Sequence, residues 1–324
     1  MISRSVEPKQ ARVVVIGGAN VDIQGFSSGD FVRADSNPGR IVRSSGGVGR
    51  NIAENLARLG MAVSLLSVFG SSAEGLALME ACKDAGIDVS HSLIVPGPTP
   101  TYLALMDKAG SLVAAVADME AMNRLTVYEL GKCIGLLDDA SYIVVDTNIP
   151  KASLEWLVGR YGSPTSKPCL VLDPVSATKA RNAVGLLGAF TLAKPNRSEC
   201  AILAGIESED PQDLCKALRN TGQSPKELYL SLGEQGLFCC LEDGQTLLVE
   251  LPPSDRCPKP INRSGAGDAA LAALIWATDQ GFPLRDKAQY SLTASILTAA
   301  SEDSVCKDLS EALLLQEKNR MFDF

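Results

Sequence analysis

Histidine is almost missing from this chain. His91 is the only one in 324 residues, which argues against Ser-His-Asp hydrolysis, Cys-His catalysis and histidine-rich zinc sites. It lies between Asp88-Val89-Ser90 and Leu93-Ile94-Val95, where a loop enters a strand, and reads as a surface residue. Acid–base work then falls to a carboxylate. The nine cysteines form no Cys-x-x-Cys pair and their total is odd, which reads as a reducing cytoplasm rather than a disulfide framework. No apolar run approaches the roughly 20 residues that span a membrane. Met1–Arg12 is polar, without the apolar core of a signal peptide. Positive charge is scarce too. A formal net charge of -8 excludes a nucleic-acid-wrapping surface but leaves room for a local site for a small anionic cofactor. No Gly-x-x-x-x-Gly-Lys-Ser/Thr loop occurs, so a P-loop is excluded as well.

What remains is an ordinary globular composition, 46% hydrophobic and 21% charged, long enough for one large domain with a small appendage. Short β-branched runs alternate with helical stretches. Strands are expected at Arg12–Gly18, Val63–Phe69, Tyr142–Asp146, Cys169–Asp173, Phe190–Ala193 and Glu227–Leu232. Val48–Leu59 and Ala73–Ala85 carry helical spacing. Strands buried on both faces and alternating with helices predict a parallel sheet covered by helices. Leu237–Leu241 and Thr246–Leu251 flank Glu242-Asp243-Gly244-Gln245, a hairpin at one sheet edge. Two segments, 24–45 and 93–119, break the rhythm. They read as a small β appendage or lid, or as two ordinary surface excursions.

Four motifs could carry chemistry. Ser264-Gly265-Ala266-Gly267-Asp268 runs from a glycine turn into an Ala/Leu-rich helix. Free amides at a helix start attract anions, and Gly265, Ala266 and Gly267 let a transferring phosphoryl group approach. Asp268, on the first turn, could take a proton from an attacking hydroxyl, or could merely cap the helix. Gly46-Gly47-Val48-Gly49-Arg50-Asn51 also opens a helix. It is not Gly-x-Gly-x-x-Gly, and it fits either close contact with a hydroxyl-rich ligand or a lid hinge. Gly17-Gly18-Ala19-Asn20-Val21-Asp22 ends the first strand, where ligands of open α/β sheets bind. Asp22 could accept two sugar hydroxyls or cap local amides. Lys194-Pro195-Asn196-Arg197-Ser198-Glu199 reads as a capping box or as a site near Mg²⁺-bound phosphates.

These pieces, in this order, resemble the ribokinase-like (PfkB) family from about Val13 to Leu309. Gly46–Gly60 is similar to its first signature and Asn262–Leu274 to its second. Within the family, Asn20-Val21-Asp22, Gly46–Ala53, Asp146-Thr147-Asn148 and Asp173-Pro174-Val175-Ser176-Ala177 look like the pseudouridine kinase subgroup. The resemblance implies a three-layer α/β/α fold with a mostly parallel central sheet and a β lid that often pairs subunits. It implies ATP-dependent phosphorylation of a 5′-hydroxyl with Asp268 as base and the amides of Gly265, Ala266 and Gly267 as anion hole. Asp22, Gly46, Gly47 and Asn51 would hold the ribose, with Asn20 and Asn148 near the base. Asn196, Ser231, Gly233, Gly236 and Ser264 would line the nucleotide, and Glu199 would support Mg²⁺ through water.

One departure concerns a monovalent ion. Relatives often carry Asp-Thr before the glycine turn and use this neighbourhood for an activating K⁺. Here the positions read Asn262-Arg263, and a cationic side chain would replace or repel the ion. The leading expectation is a pseudouridine kinase. The rivals are a kinase for another ribose-type sugar, nucleoside or sugar phosphate, or a non-catalytic nucleoside-binding protein on the same fold.

Overall fold

The computed structural model describes residues 12–163 and 167–323; the polar N-terminal stretch lies outside the described residues apart from Arg12. Eight strands form the central sheet in the spatial order β14 (Thr246–Val249), β13 (Leu237–Leu241), β12 (Glu227–Ser231), β11 (Leu192–Ala193), β10 (Cys169–Asp173), β9 (Tyr142–Asp146), β1 (Arg12–Ile16), β4 (Ala62–Leu66). The six from β12 to β4 run parallel, and β13 and β14 add antiparallel edge strands. The parallel strands are short, apolar and buried because helices cover both faces. Val13 and Val15 point into one core with the helices Val48–Arg58, Ala266–Asp279 and Leu284–Ala299. Val14 and Ile16 point into the other, with Lys151–Tyr161, Arg197–Ala204 and Pro211–Asn220. None of the helices among the described residues is long and apolar enough to cross a membrane, and all nine cysteines are free thiols.

A second sheet has the order β3 (Gly39–Gly46), β2 (Asn20–Ser27), β7 (Thr101–Met106), β8 (Leu112–Asp118). Its limits differ from those expected. It begins at Asn20, because β2 pairs with β3 along its whole length, from Asn20↔Gly46 to Ser27↔Gly39. Leu93–Val95 (β6) is not part of it. This segment pairs parallel with Val68–Gly70 (β5), which is split from β4 at Ser67. His91 lies exposed in the turn before β6.

The glycines after β3 hold the two sheets to one helix. Gly47 caps the helix Val48–Arg58 at φ 102. A Cβ there would come within 2.4 Å of the Gly18 carbonyl. Gly49 sits inside the helix, where alanine ordinarily gains about 1 kcal/mol. Here the Gly49 position faces backbone: a Cβ would lie 2.8 Å from the Gly17 carbonyl carbon and 2.9 Å from its Cα. Gly49→Ala should therefore reverse the usual sign and destabilise the protein by about 1–3 kcal/mol, measured by urea unfolding. A stabilised variant would contradict this packing.

Candidate active site

The functional side chains gather at the carboxyl ends of the parallel strands. The sheet's connections change direction there, β1 being flanked by β4 on one side and β9 on the other. Asp146, at the end of β9, is fully buried and binds three backbone amides. Its Oδ2 accepts from Gly18 (2.8 Å) and Gly49 (2.9 Å), and its Oδ1 from Asn148 (2.8 Å). It thus fastens the loop after β1 and the start of the helix Val48–Arg58 to the end of β9. Gly17 has no side chain because the Asp146 carboxylate fills that space, 2.3 Å from where a Cβ would stand.

Around this clamp the expected ligands of a hydroxyl-bearing substrate come together. Asn20 Nδ2 donates to Asp22 Oδ1 at 2.6 Å, and burial raises the Asp22 carboxyl above its usual range. Gly46 is glycine for Asp22's sake, since a Cβ would meet its Oδ2 at 2.2 Å. Asn148 stands beside Gly18 and accepts from Lys179 Nζ at 2.6 Å. Lys179 is half-buried, and desolvation lowers its pKa. Asn51 Nδ2 donates to Asp268 Oδ2 at 2.8 Å, joining the two glycine motifs across 217 residues.

Asp268 lies on the first turn of the helix Ala266–Asp279, whose N-cap Gly265 has φ 76. Gly265 packs so closely on the Ser304 carbonyl that no side chain fits. Burial, together with the nearby Asp173 carboxylate, pushes Asp268 up to about 7, against the opposing pull of Asn51 and Lys194. The buried Lys194, at the end of β11, has its Nζ 4.0 Å from Asp173 and beside Gly267. A cation is thus held next to the turn whose amides would face an anion. Val175, after β10, has φ 66 and is held by its amide bonding Asp173 Oδ1 at 2.8 Å. For a β-branched residue this is real backbone strain, of the kind that collects at functional sites.

After β11, Asn196 and Glu199 do form a capping box. Asn196 Oδ1 accepts from the Glu199 amide, while Glu199 accepts from the Asn196 amide (2.9 Å) and from Nδ2 (2.7 Å). Burial, with Asp173 nearby, raises the Glu199 pKa. Asn196 and Ser231 are bridged backbone to backbone, and an open cleft of about 750 Å³ is lined by Asn196, Ser231 and Gly233. Gly236, at φ 98, packs on the β-hairpin: a Cβ there would strike the Val249 carbonyl at 2.1 Å. Ser264 is exposed, with its amide bonded to Asn262 Oδ1. Arg263 points to the surface and pairs with Glu234 at 3.1 Å. Asn262 meanwhile ties the loop to Glu302 and Ala299.

The matching family model is that of pfkB family carbohydrate kinases, over residues 10–308. The chain belongs to this family. It is 35% identical over 305 residues to the pseudouridine kinase of Escherichia coli (strain K12), covering 93% of this chain and 94% of that protein. A sugar kinase from Clostridium perfringens has a similar structure, with TM-score 0.82, 31% identity and 97% of each chain covered. Arabidopsis thaliana ribokinase, solved with ribose and ATP, shares the fold at TM-score 0.78 and 18% identity, covering 95% of this chain and 98% of that one. The kinase is therefore an ATP-dependent phosphotransferase with the ribokinase fold.

Sequence reading missed Lys194, Lys179 and the structural use of Asp146. Lys194 opens a motif read for its Asn and Glu, and Lys179 lies in the short helix Ala177–Ala180; only the strand order brings them to one crevice. A pH prediction follows from Asp268. Its folded pKa lies above that of the unfolded chain, so the folded state holds the extra proton between about pH 4 and 7. Stability falls as pH rises through this window, and the penalty is complete above it. Asp268→Asn should thus be more stable than the parent at pH 8, by on the order of 1–3 kcal/mol, with the advantage gone near pH 4. Thermal unfolding at the two pH values reads the difference.

Proposed function

We propose that this kinase transfers the γ-phosphoryl group of ATP to the 5′-hydroxyl of pseudouridine, with Asp268 as general base. The observation that carries the mechanism is the placement of Asp268. Its buried carboxylate, tuned close to neutral, stands on the first turn of a helix beside a glycine turn and a buried lysine. A carboxylate with such a pKa both exists as base at neutral pH and keeps a useful affinity for the substrate proton. Asp268 would take the 5′-proton as the oxygen attacks in line. The amides of Gly265, Ala266 and Gly267, with Lys194 behind them, would receive the charge on the equatorial phosphoryl oxygens.

The fit to a metal can be judged from the donors present. Among the described residues there is no cluster of three or more Asp, Glu, Cys or His groups able to hold a metal ion. Both Glu199 oxygens accept hydrogen bonds yet keep lone pairs. This suits Mg²⁺ held chiefly by nucleotide phosphates and water, with Glu199 reaching it through water. The ion would neutralise phosphate charge. Asn196, Ser231, Gly233 and Ser264 would line the nucleotide. With Arg263 turned toward Glu234, backbone carbonyls and the Asn262 and Ser264 side-chain oxygens would be the donors for a K⁺ beside the loop.

For the acceptor, Asp22, Asn51 and the amides near Gly46–Gly47 would hold the ribose. Asn148 has given its carbonyl to Lys179, so what it offers a ligand is an NH₂ group beside a partly desolvated ammonium. Two donors facing one edge suit a base with carbonyl oxygens, as in a uracil. The 35% identity to a pseudouridine kinase supports the same substrate. With ATP and Mg²⁺, pseudouridine should show the highest kcat/KM in a panel with uridine, ribose, adenosine and sugar phosphates. Faster turnover of ribose, adenosine or a sugar phosphate would overturn the substrate. Asp268→Asn should lose about 10²–10⁴-fold in kcat while still binding nucleoside by calorimetry; unchanged turnover would sink the base.

We also propose that the second sheet is a lid that pairs two subunits. Cross-strand register puts Ile41, Leu103, Leu105 and Val116 on the face opposite to Asp22. Ile41 and Val116 are 69% and 65% exposed, an apolar face of the kind that marks an interface. Light scattering should report a dimer that Val116→Asp converts to monomer; a monomeric parent would contradict it.

A further inference from the structure

A buried ion-pair chain stands directly behind the base. Arg50, on the first turn of the helix Val48–Arg58, is only 7% exposed. Its Nη1 donates to Asn51 Oδ1 at 2.9 Å and to the Ser45 carbonyl at 3.2 Å, and its Nη2 donates to Glu54. The other Glu54 oxygen accepts from Arg58 Nε and Nη2 at 2.9 and 2.7 Å. Arg58 in turn donates to the Lys307 carbonyl. Ser304, in the same loop, approaches Asn51 Oδ1 at 3.4 Å. Its carbonyl is the surface on which Gly265 packs.

A primary amide can turn either its oxygen or its NH₂ toward a neighbour, and a carboxylate accepts only from the NH₂. A guanidinium has donors and no acceptor, so Arg50 meets only the oxygen of Asn51. With that oxygen taken, the NH₂ has one direction left, toward Asp268 Oδ2.

We infer that Arg50 is a positioning residue of this kinase, holding the Asn51 carboxamide in the one orientation that keeps Asp268 ionised and aimed at its substrate. Without Arg50 the amide can turn over and offer Oδ1 to Asp268. That arrangement bonds the protonated acid and repels the carboxylate. Arg50 also faces Asp22 and favours its charged form, so one guanidinium serves both the base and the ribose ligand. The other groups acting on Asp268 are Asp173 and Asp146, which oppose its ionisation, and Lys194, which favours it. Arg50 reaches Asp268 through Asn51.

The inference rests on Asp268 being the base, yet the two can fail separately, because the carboxyl titration needs no turnover. ¹³C NMR of the full chain without substrate reads the Asp268 pKa, and kcat/KM from pH 6 to 9 reads its catalytic use. In Arg50→Met the titration and the acid limb should both rise by roughly half to one pH unit. The loss of kcat/KM at pH 6 should then exceed that at pH 9 by about three- to tenfold. Arg50→Lys, still a pure donor, should recover part of the shift. Should leaving the buried Glu54 with Arg58 as its one remaining arginine unfold Arg50→Met, Arg50→Met/Glu54→Gln removes both charges of the Arg50–Glu54 pair and carries the same expectation. In an Asn51→Ala background, Arg50→Met should move the Asp268 titration no further. An unmoved titration in the single variants, or the same shift with Asn51 absent, would overturn the role.

Discussion

A single carboxylate, that of Asp146, receives one backbone amide from its own turn and two from distant parts of the chain, and the geometry of the crevice depends on it. The loop after β1 and the first turn of the helix Val48–Arg58 would otherwise present their amides to one another. With Asp146 between them they converge. Gly17 and Gly49 exist as glycines to allow that approach. Full burial penalises the charge and pushes the Asp146 carboxyl above its usual range, with the amides offsetting part of the cost. The clamp lies beside Gly17, Gly18 and Gly49, between the two glycine motifs. It determines where Gly46, Gly47 and Asn51 stand.

The electrostatics of the crevice then divide into an acid group and a counterweight. Asp146, Asp173, Glu199 and Asp268 occupy the ends of neighbouring elements, and Asp173 raises the pKa of each of the other three. Lys194 moderates this beside Asp268, and Lys179 beside Asp146 and Asn148. Such a field holds one carboxylate close to neutral without any histidine. The strained Val175 is part of the same arrangement, because its amide is what orients Asp173.

Much of this was legible in the amino-acid order. Tyr142–Asp146 and Cys169–Asp173 have the expected bounds, since β-branched runs buried on both faces leave little ambiguity. The limits of the second sheet were not legible. The strand Asn20–Ser27 mixes polar and apolar residues, includes Gly25, is mostly half-buried, and owes its form to partners on both sides. Leu93–Val95 resembles any short apolar run, and only tertiary pairing with Val68–Gly70 assigns it. The motif residues Asn51 and Asp268 could be picked out singly, and the structure adds their hydrogen bond. Arg50 and Glu54 were hidden because an i, i+4 charge pair on a helix normally faces water. The capping box at Asn196 illustrates the opposite case: its local explanation is correct, and it does not preclude a second use of the same atoms.

The position of β1 in the sheet bears on how the molecule is made. Its neighbours are β4, about fifty residues later, and β9, about one hundred and thirty residues later. The loop after it is fastened by Asp146, and Asn51 meets Asp268 only across 217 intervening positions. A ribosome releases these partners one after another. The glycine-rich turn near residue 47 therefore waits first for its clamp, Asp146, and then much longer for Asp268. The crevice closes only when the last third of the chain has emerged, so a polypeptide cut short before Asp268 would carry all eight strands of the central sheet, the last ending at Val249, and yet lack the Asn51–Asp268 bond.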